Sequence, residues 1–564
     1  MLIRKLTYVL VLIAASIFVF SYYLQKPPYL SFSDAAKFAD IARNLVQGVG
    51  YHPSFTFFGG GIFGDLAKGM FPLTGISPLM PFSIAGFFKI FGVNDFAVIA
   101  TSFFYFLFSL LFIYLLTNKV FKSYSLALLS TVSIGFNYDW INYAISGASE
   151  SPFILEIVAG AYFLSSGRKL FNMIGFIFLI LMYFTRPQAF IYITGLILFY
   201  LLNRFGAKNG TTLFFGAIVL GTLLDGFILS RFSGSGLLYS VVGRGLQAAN
   251  QYVPGIAVSN ALRGAGSHSV TVQSASLIKS MVLTIGTKVF YNLYNFYKLM
   301  PQIMNPYLFS LFVIGMFRWT KDKLYNSLKV ATIFMVIITF LVTALSIPFF
   351  RYLHPVVPLV YIFAIETLVW IVHKVVGDWC LVASGKLKSQ ITSHKLLITI
   401  VASTFLIFGF GVGQTLGVIF LDSRFERNTH NVGKPPVYVQ LSYILKNNTQ
   451  PNQTVLTNLD TWGSWYGERK TVWYPLTPEQ IIPPKGENNS FDVIYLTSYL
   501  IDDQNYFMGE EWRKIFENPM IFSTKDCKGC EFIKENYTLK GIYRISAAED
   551  YERQDAKAVL FVKK

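Results

Sequence analysis

Long apolar runs separated by short basic connectors fill the first 419 positions, and residues 420–564 change to an alternating, acid-rich pattern. A helix crosses the hydrocarbon with about 17–25 mostly apolar residues, fewer where neighbouring protein covers its ends. Eleven stretches are expected to do so: 7–24, 94–117, 124–138, 150–165, 171–185, 188–202, 211–230, 304–317, 328–346, 355–373 and 396–419. Two long segments, 25–93 and 231–303, then lie outside. Within the first, 76–91 is apolar but broken by Pro78 and Pro81, and reads as an interfacial or partly inserted helix. It is a twelfth span if it crosses. In the tail, Gln453–Leu459, Lys470–Tyr474 and Phe491–Thr497 read as strands, with a helix inside Asp503–Phe516. The predicted fold is an all-α polytopic membrane domain (1–419) followed by a small extracytoplasmic α/β domain (420–564).

Charge sets the orientation. Residues 1–419 hold 11 acids against 29 Lys and Arg, and the remainder 19 against 18, so the net +17 sits wholly in the apolar part. With the N-terminus in the cytoplasm, the inner connectors collect sixteen basic residues, from Arg4 and Lys5 to Lys395, against Asp322 and Asp378 alone. That is the positive-inside pattern. Because the excess lies between apolar runs, no nucleic-acid partner is expected. The expected location is the plasma membrane, with the C-terminal domain extracytoplasmic. The first run, Thr7–Tyr23, follows Arg4 and Lys5 as a signal peptide would, yet KPPYLSFSD offers no small-x-small cleavage site. It is taken as an uncleaved span. The 231–303 segment breaks the trend with six Lys and Arg side chains, among them Arg263, together with His268, which suggests a bound anion such as a phosphorylated lipid headgroup.

Cysteine says little. Cys380 stands alone, and Cys527 and Cys530 in CKGC form a local disulfide in an oxidising space or stay as thiols. A zinc site would need two further ligands.

With only eleven acids before residue 420, each is informative, since charge near hydrocarbon is costly. Asp34 opens SDAAKFADIARNLVQG, whose Phe38, Ile41, Leu45 and Val46 share one face and Lys37, Asp40, Arg43 and Asn44 the other. That pattern is an amphipathic helix on the outer surface. Asp34 is then either its N-cap or a reactive carboxylate, and Asp40 reads as a solvated partner of Arg43 or Asn44. Glu150 lies at the outer mouth of the fourth span, as a helix-start acid or a site residue on the same side as Asp34. Arg186 before Pro187, and Arg351-Tyr352 before Pro355, are outer-end cations suited to phosphate or to interface anchoring. Lys68 and His52 are weaker candidates. Glu156, Asp225 and Glu366 lie deeper in spans, as a transporter would place them.

The order of these features resembles the multi-spanning glycosyltransferases that use polyprenyl-phosphate-linked sugars, the group that includes the protein O-mannosyltransferases and lipid A aminoarabinose transferases. The matching pieces are Asp34, Phe38, Ala42-Arg43-Asn44-Leu45, Gly48, Gly50 and Tyr51, then Pro78–Phe82 and Phe91–Asn94. Ser149-Glu150, Thr185-Arg186-Pro187, Arg351-Tyr352 with Pro355 and Pro358, and Trp465-Tyr466-Gly467-Glu468-Arg469 follow in the family's order. Phe38 stands where tyrosine is commoner, and Gln188 where many relatives carry Glu. Asp460-Thr-Trp-Gly-Ser-Trp-Tyr-Gly467 has the residues of the oligosaccharyltransferase Trp-Trp-Asp-Tyr-Gly signature in the wrong order, which argues against en bloc glycan transfer.

The resemblance implies sugar transfer from a polyprenyl-phosphate donor to a lipid, glycan or protein acceptor at the outer face. Asp34 is the expected base, with Glu150 beside it and inversion as the outcome. Arg351 is the first expected phosphate ligand, followed by Lys68, Arg186 and Arg263; Phe38, Arg43, Asn44 and Tyr352 support the site. Whether a divalent cation bridges the two acids stays open. A transporter with an external domain and a surface-glycan ligase or polymerase are the alternatives.

Overall fold

The computed structural model describes residues 2–24, 26, 28–59, 61–68, 71, 76–224, 275–346, 348–383, 433–485, 490–502, 508–552 and 554–564. The expected spans 396–419 and the end of 211–230 lie outside these residues, as do Arg263 and Asp225.

The described chain opens with α1 (Leu2–Leu24) and α2 (Ser33–Val46), then a short strand β1 (Phe55–Phe57) and α3 (Ile62–Lys68). Next come α4 (Leu79–Phe91), α5 (Asp95–Phe121), α6 (Tyr124–Gly135), α7 (Tyr138–Ala144), α8 (Glu150–Leu164), α9 (Lys169–Thr185), α10 (Ala189–Phe205) and α11 (Ala207–Leu224). After the undescribed stretch follow α12 (Ala275–Lys298), α13 (Pro306–Met316), α14 (Lys323–Leu345) and α15 (Val357–Ala383). Each expected span within the described residues is a helix. Among the described residues four helical stretches are long and apolar enough to cross a membrane by themselves: Thr7–Leu24, Asp95–Phe121, Lys323–Leu345 and Phe350–Lys374. The helix at 79–91 exists but is only 13 residues long.

The helix α12 occupies the C-terminal part of the segment 231–303 that is expected to lie outside. Its buried face carries Lys288, Asn292 and Phe296 at four-residue spacing, two of them polar, so hydropathy alone reads it as loop. Lys288 and Asn292 donate to the Ser346 and Ala344 carbonyls at 3.0 and 2.8 Å, satisfying the end of α14.

The tail contains α16 (Val437–Asn448), β2 (Thr454–Thr457), α17 (Trp462–Trp465), β3 (Lys470–Trp473), β4 (Val493–Thr497), α18 (Glu510–Glu517), α19 (Lys528–Asn536), β5 (Tyr537–Ile545) and β6 (Ala556–Lys563). The three expected strands are present, slightly trimmed. Cys527 and Cys530 are disulfide-bonded. The sheet order is β1-β3-β2-β4-β6-β5, parallel from β1 to β4 and antiparallel beyond. Its first strand comes from the external segment 25–93, with Phe55 opposite Thr471 and Phe57 opposite Trp473. That segment and the tail therefore share one sheet and one core, in which Phe55, Ile62 and Phe63 join Trp473, Phe491 and Trp512.

The amphipathic α2 is not a surface helix. Asp40 is fully buried, bonded to Arg43 at 2.5 Å and to the Ser54 amide at 2.6 Å, rather than solvated. Arg43 also donates to the Trp465 and Ser464 carbonyls, at 3.0 and 2.9 Å, with its guanidinium over the Trp465 ring. Asn44 donates to the His52 carbonyl at 2.7 Å. The polar face thus docks onto the tail through Arg43 and onto residues 52–54 through Asp40 and Asn44, while Phe38 and Ala35 pack with α4 and α5 residues in the second core. A second clasp is Asp95, which accepts from Trp465 Nε1 at 2.7 Å and Tyr466 Oη at 2.9 Å.

Candidate active site

Asp34 does not cap its helix. The N-cap position is Phe32, and Asp34 sits in the first turn with its carboxylate free to leave the helix. Oδ2 pairs with Arg351 Nη2 at 2.7 Å, across 317 positions of sequence. Glu150, first residue of α8, likewise reaches away and pairs with Arg186 Nη1 at 2.5 Å. Both arginine groups lie beside the Tyr352 ring, 5.7 Å from Arg186 and 5.5 Å from Arg351. Four separate segments thus converge: the start of α2, the start of α8, the 185–188 turn between α9 and α10, and the 3₁₀ turn Phe350–Tyr352.

Local backbone brings them together. Gly147, at φ +72°, lies in the loop that delivers Glu150; a Cβ there would stand 2.5 Å from Val98 and 3.1 Å from Ala35. Only glycine lets this loop lie against the α2 turn that carries Asp34. The Arg351 turn is held by His354 in the next 3₁₀ turn. Its Nδ1 meets the buried Tyr143 hydroxyl, and its Nε2 lies 3.2 Å from the Gln302 carbonyl.

The two pairs differ in exposure. The Glu150 and Arg186 side chains are 2% and 7% exposed, whereas Asp34 and Arg351 are 45% and 29% exposed. Asp34 is crowded by protein atoms yet open to solvent on one side, the signature of a recess. Burial pushes its carboxyl up, but Arg351, helped by Lys37 and Arg186, outweighs it and holds the group below its ordinary value. Lys37, one turn along α2, was placed by periodicity only on the polar face. Its Nζ lies over the Phe57 ring at 5.5 Å and shares the field of Asp34 and Asp460; burial lowers its pKa and the two acids oppose that. The spacing of three from Asp34 was the one sequence signal for it.

The remaining expected residues fall elsewhere. Lys68 ends α3, exposed and without hydrogen bond or ion pair among the described residues. Phe38, Arg43 and Asn44 act one step back, fixing α2 to its neighbours. Glu156 accepts from the Thr185 hydroxyl at 2.6 Å, and Glu366 is paired with Arg318 and accepts from Tyr325 at 3.2 Å. Among the described residues no group of three or more His, Cys, Asp or Glu converges on a metal-sized space. Asp34 and Glu150 each face a guanidinium rather than one another, so a cation between them would have to displace both arginines.

No family model and no curated protein matches the chain. Solved structures do. The archaeal oligosaccharyltransferase AglB from Archaeoglobus fulgidus, in complex with an inhibitory peptide and a dolichol-phosphate, matches at TM-score 0.50 and 11% identity. That match covers 96% of this chain and 73% of AglB. The two share a fold. ArnT from Cupriavidus metallidurans, bound to undecaprenyl phosphate, aligns over 98% of this chain and 97% of its own at TM-score 0.43 and 11% identity. In this chain a multi-helical membrane domain is joined to a soluble sheet-containing C-terminal region.

Proposed function

We propose that the chain transfers a sugar from a polyprenyl-phosphate-linked donor to a hydroxyl acceptor at the outer membrane face, with inversion. One observation carries this reading: Asp34 is the accessible acid of a mixed acid–arginine cluster drawn from four separate segments, where α2 docks against the soluble domain. Charge paired across such distances is retained where a polar reaction needs it.

In this reading Asp34 removes the acceptor proton as the acceptor oxygen attacks the anomeric carbon. The bond from that carbon to the phosphate oxygen breaks, and polyprenyl phosphate departs carrying the electron pair. The leaving group is already a weak base, so it needs charge stabilisation more than a proton. Arg351 uses Nη2 on Asp34 and offers its remaining donors to the phosphate. Lys37 supplies a second cation, and Arg186 holds Glu150 against the cluster. A phosphate arriving at Arg351 neutralises the charge that holds the Asp34 carboxyl down. The burial contribution then dominates, and the base gains proton affinity as the donor binds. The domain limits at 419 and 420 belong to this proposal with one amendment, that the catalytic unit includes the edge strand from segment 25–93.

The test is mass spectrometry of polyprenyl-phosphate sugars and surface glycans in host cells carrying wild type, a deletion or D34N at matched protein levels. Build-up of one lipid-phosphate sugar in both altered strains, with loss of that sugar from one product, supports the reading. A D34N strain indistinguishable from wild type removes Asp34 from the mechanism. Unchanged lipids and glycans in the deletion as well remove the transferase.

A further inference from the structure

A second charged cluster lies at the opposite end of the helical domain. The helix α14 has its C-terminal end beside the Arg351 turn and its N-terminal end beside Arg318, and its 23 residues span about 34 Å at 1.5 Å per residue. Around that far end stand Arg318, Trp319, Tyr325, Lys329, Glu366 and Trp370. Glu366 is fully accounted for: Arg318 Nη1 pairs with it and the Tyr325 hydroxyl donates to it. Lys329 is 1% exposed and donates to the Arg318 and Gly315 carbonyls at the end of α13, with its ammonium 4.2 Å from the Trp319 ring centre.

The charges do not cancel. Two cations meet one acid, leaving one positive charge in a partly desolvated place. Arg318 carries it outward. Its guanidinium stacks on Trp370 at 4.9 Å, its side chain is 28% exposed, and only Nη1 has a bonded partner among the described residues. A guanidinium has five N–H donors in a fixed fork, so a planar set of donors faces away from Glu366. Beside it Phe317 and Trp319 are 80% and 62% exposed, the placement of aromatic side chains at a membrane interface. Lys321, Lys323 and Lys374 are exposed on the same end.

We propose that Arg318 binds the phosphate of an anionic glycerophospholipid in the leaflet opposite Asp34, with Phe317 and Trp319 against its glycerol and upper acyl region. The phosphodiester's single negative charge balances the surplus cation, and its two free oxygens match the unused guanidinium donors. Glu366 orients Arg318 for this purpose instead of marking a transport path. The site is independent of the transferase reading and uses none of its residues.

The test is thermal unfolding of the purified full chain in detergent, titrated with phosphatidylglycerol, phosphatidylcholine of the same acyl chains, or inorganic phosphate. Ligand that binds only the folded state raises its stability by mass action. Phosphatidylglycerol is expected to raise Tm by about 3 °C or more beyond phosphatidylcholine, and inorganic phosphate to do nothing. R318K keeps a cation for Glu366 but loses the fork, and should lose most of that difference. R318Q/E366Q removes one charge of each sign, so the net charge beside the buried Lys329 is unchanged, and should lose it too. Equal stabilisation by the two lipids, or an undiminished difference in both variants, overturns the proposal. An equal rise with inorganic phosphate overturns the lipid as ligand in favour of a soluble phosphate.

Discussion

The two ends of the helical domain each pair a carboxylate with an arginine, and the pairs are opposite in one respect. At the outer end the acid is the more exposed partner, Asp34 over Arg351. At the other end the arginine is, Arg318 over Glu366. The accessible member decides what a pair can do. An open carboxylate can take a proton from an incoming hydroxyl, whereas an open guanidinium can only hold an anion. A carboxylate–arginine pair is thus suited to different chemistry according to which member the fold covers.

The sharpest break of that comparison is D34N. Turnover should fall by about 10²–10⁴, while stability changes by about 1 kcal/mol or less because the pair is partly exposed. Parallel steady-state assay and thermal unfolding check this, and a large loss of stability would return Asp34 to a structural role. E366A should do the reverse. Removing this acid leaves the buried Lys329 without a counter-charge and costs about 3–5 kcal/mol, with turnover per folded molecule near wild type; denaturant or thermal titration measures the first and active-site-normalised rate the second. E150A blurs the two classes, because Glu150 is covered like Glu366 but sits at the outer end. It should lose both about 3–5 kcal/mol of stability and a share of turnover, and E150A/R186M should recover stability without rate.

The smallest expected effect is a displacement of pH profiles. Arg351 keeps the Asp34 carboxyl below its ordinary value in the free protein, so the base stays ionised to unusually low pH and the acid limb of kcat/KM should lie low. Donor phosphate draws on the same guanidinium, so the acid limb of kcat should lie at higher pH than that of kcat/KM. In R351Q the cation is gone before donor binds, burial is no longer outweighed, and the kcat/KM limb should move up toward that of kcat. Coincident limbs in wild type would mean that Arg351 stays with Asp34 throughout.

Much of the fold was legible beforehand. The helices at the expected spans within the described residues sit where the apolar runs sit, and β2, β3 and β4 where short apolar, β-branched and aromatic runs do. Both signals are local. The helix at 275–298 escaped because its buried face uses Lys288 and Asn292, whose polar groups are satisfied by carbonyls of another helix. The strand Phe55–Phe57 escaped because three residues carry no period; only its partner Lys470–Trp473 makes it a strand.

The site divides in the same way. Sequence by itself determined that acids are scarce, that Asp34 begins an amphipathic helix, and that Glu150, Arg186 and Arg351 stand at helix ends. Each of these follows from spacing along one segment. Tertiary structure alone decided that Arg351 belongs to Asp34 and Arg186 to Glu150, that Arg43 binds the soluble domain while Asp40 is buried against Arg43 and the Ser54 amide, and that Lys37 joins the cluster around Asp34. Pairing between residues 317 positions apart, or 36 apart on different helices, leaves no periodic trace. It is fixed by close packing, here by a loop at Gly147 that only a residue without Cβ allows to lie against α2.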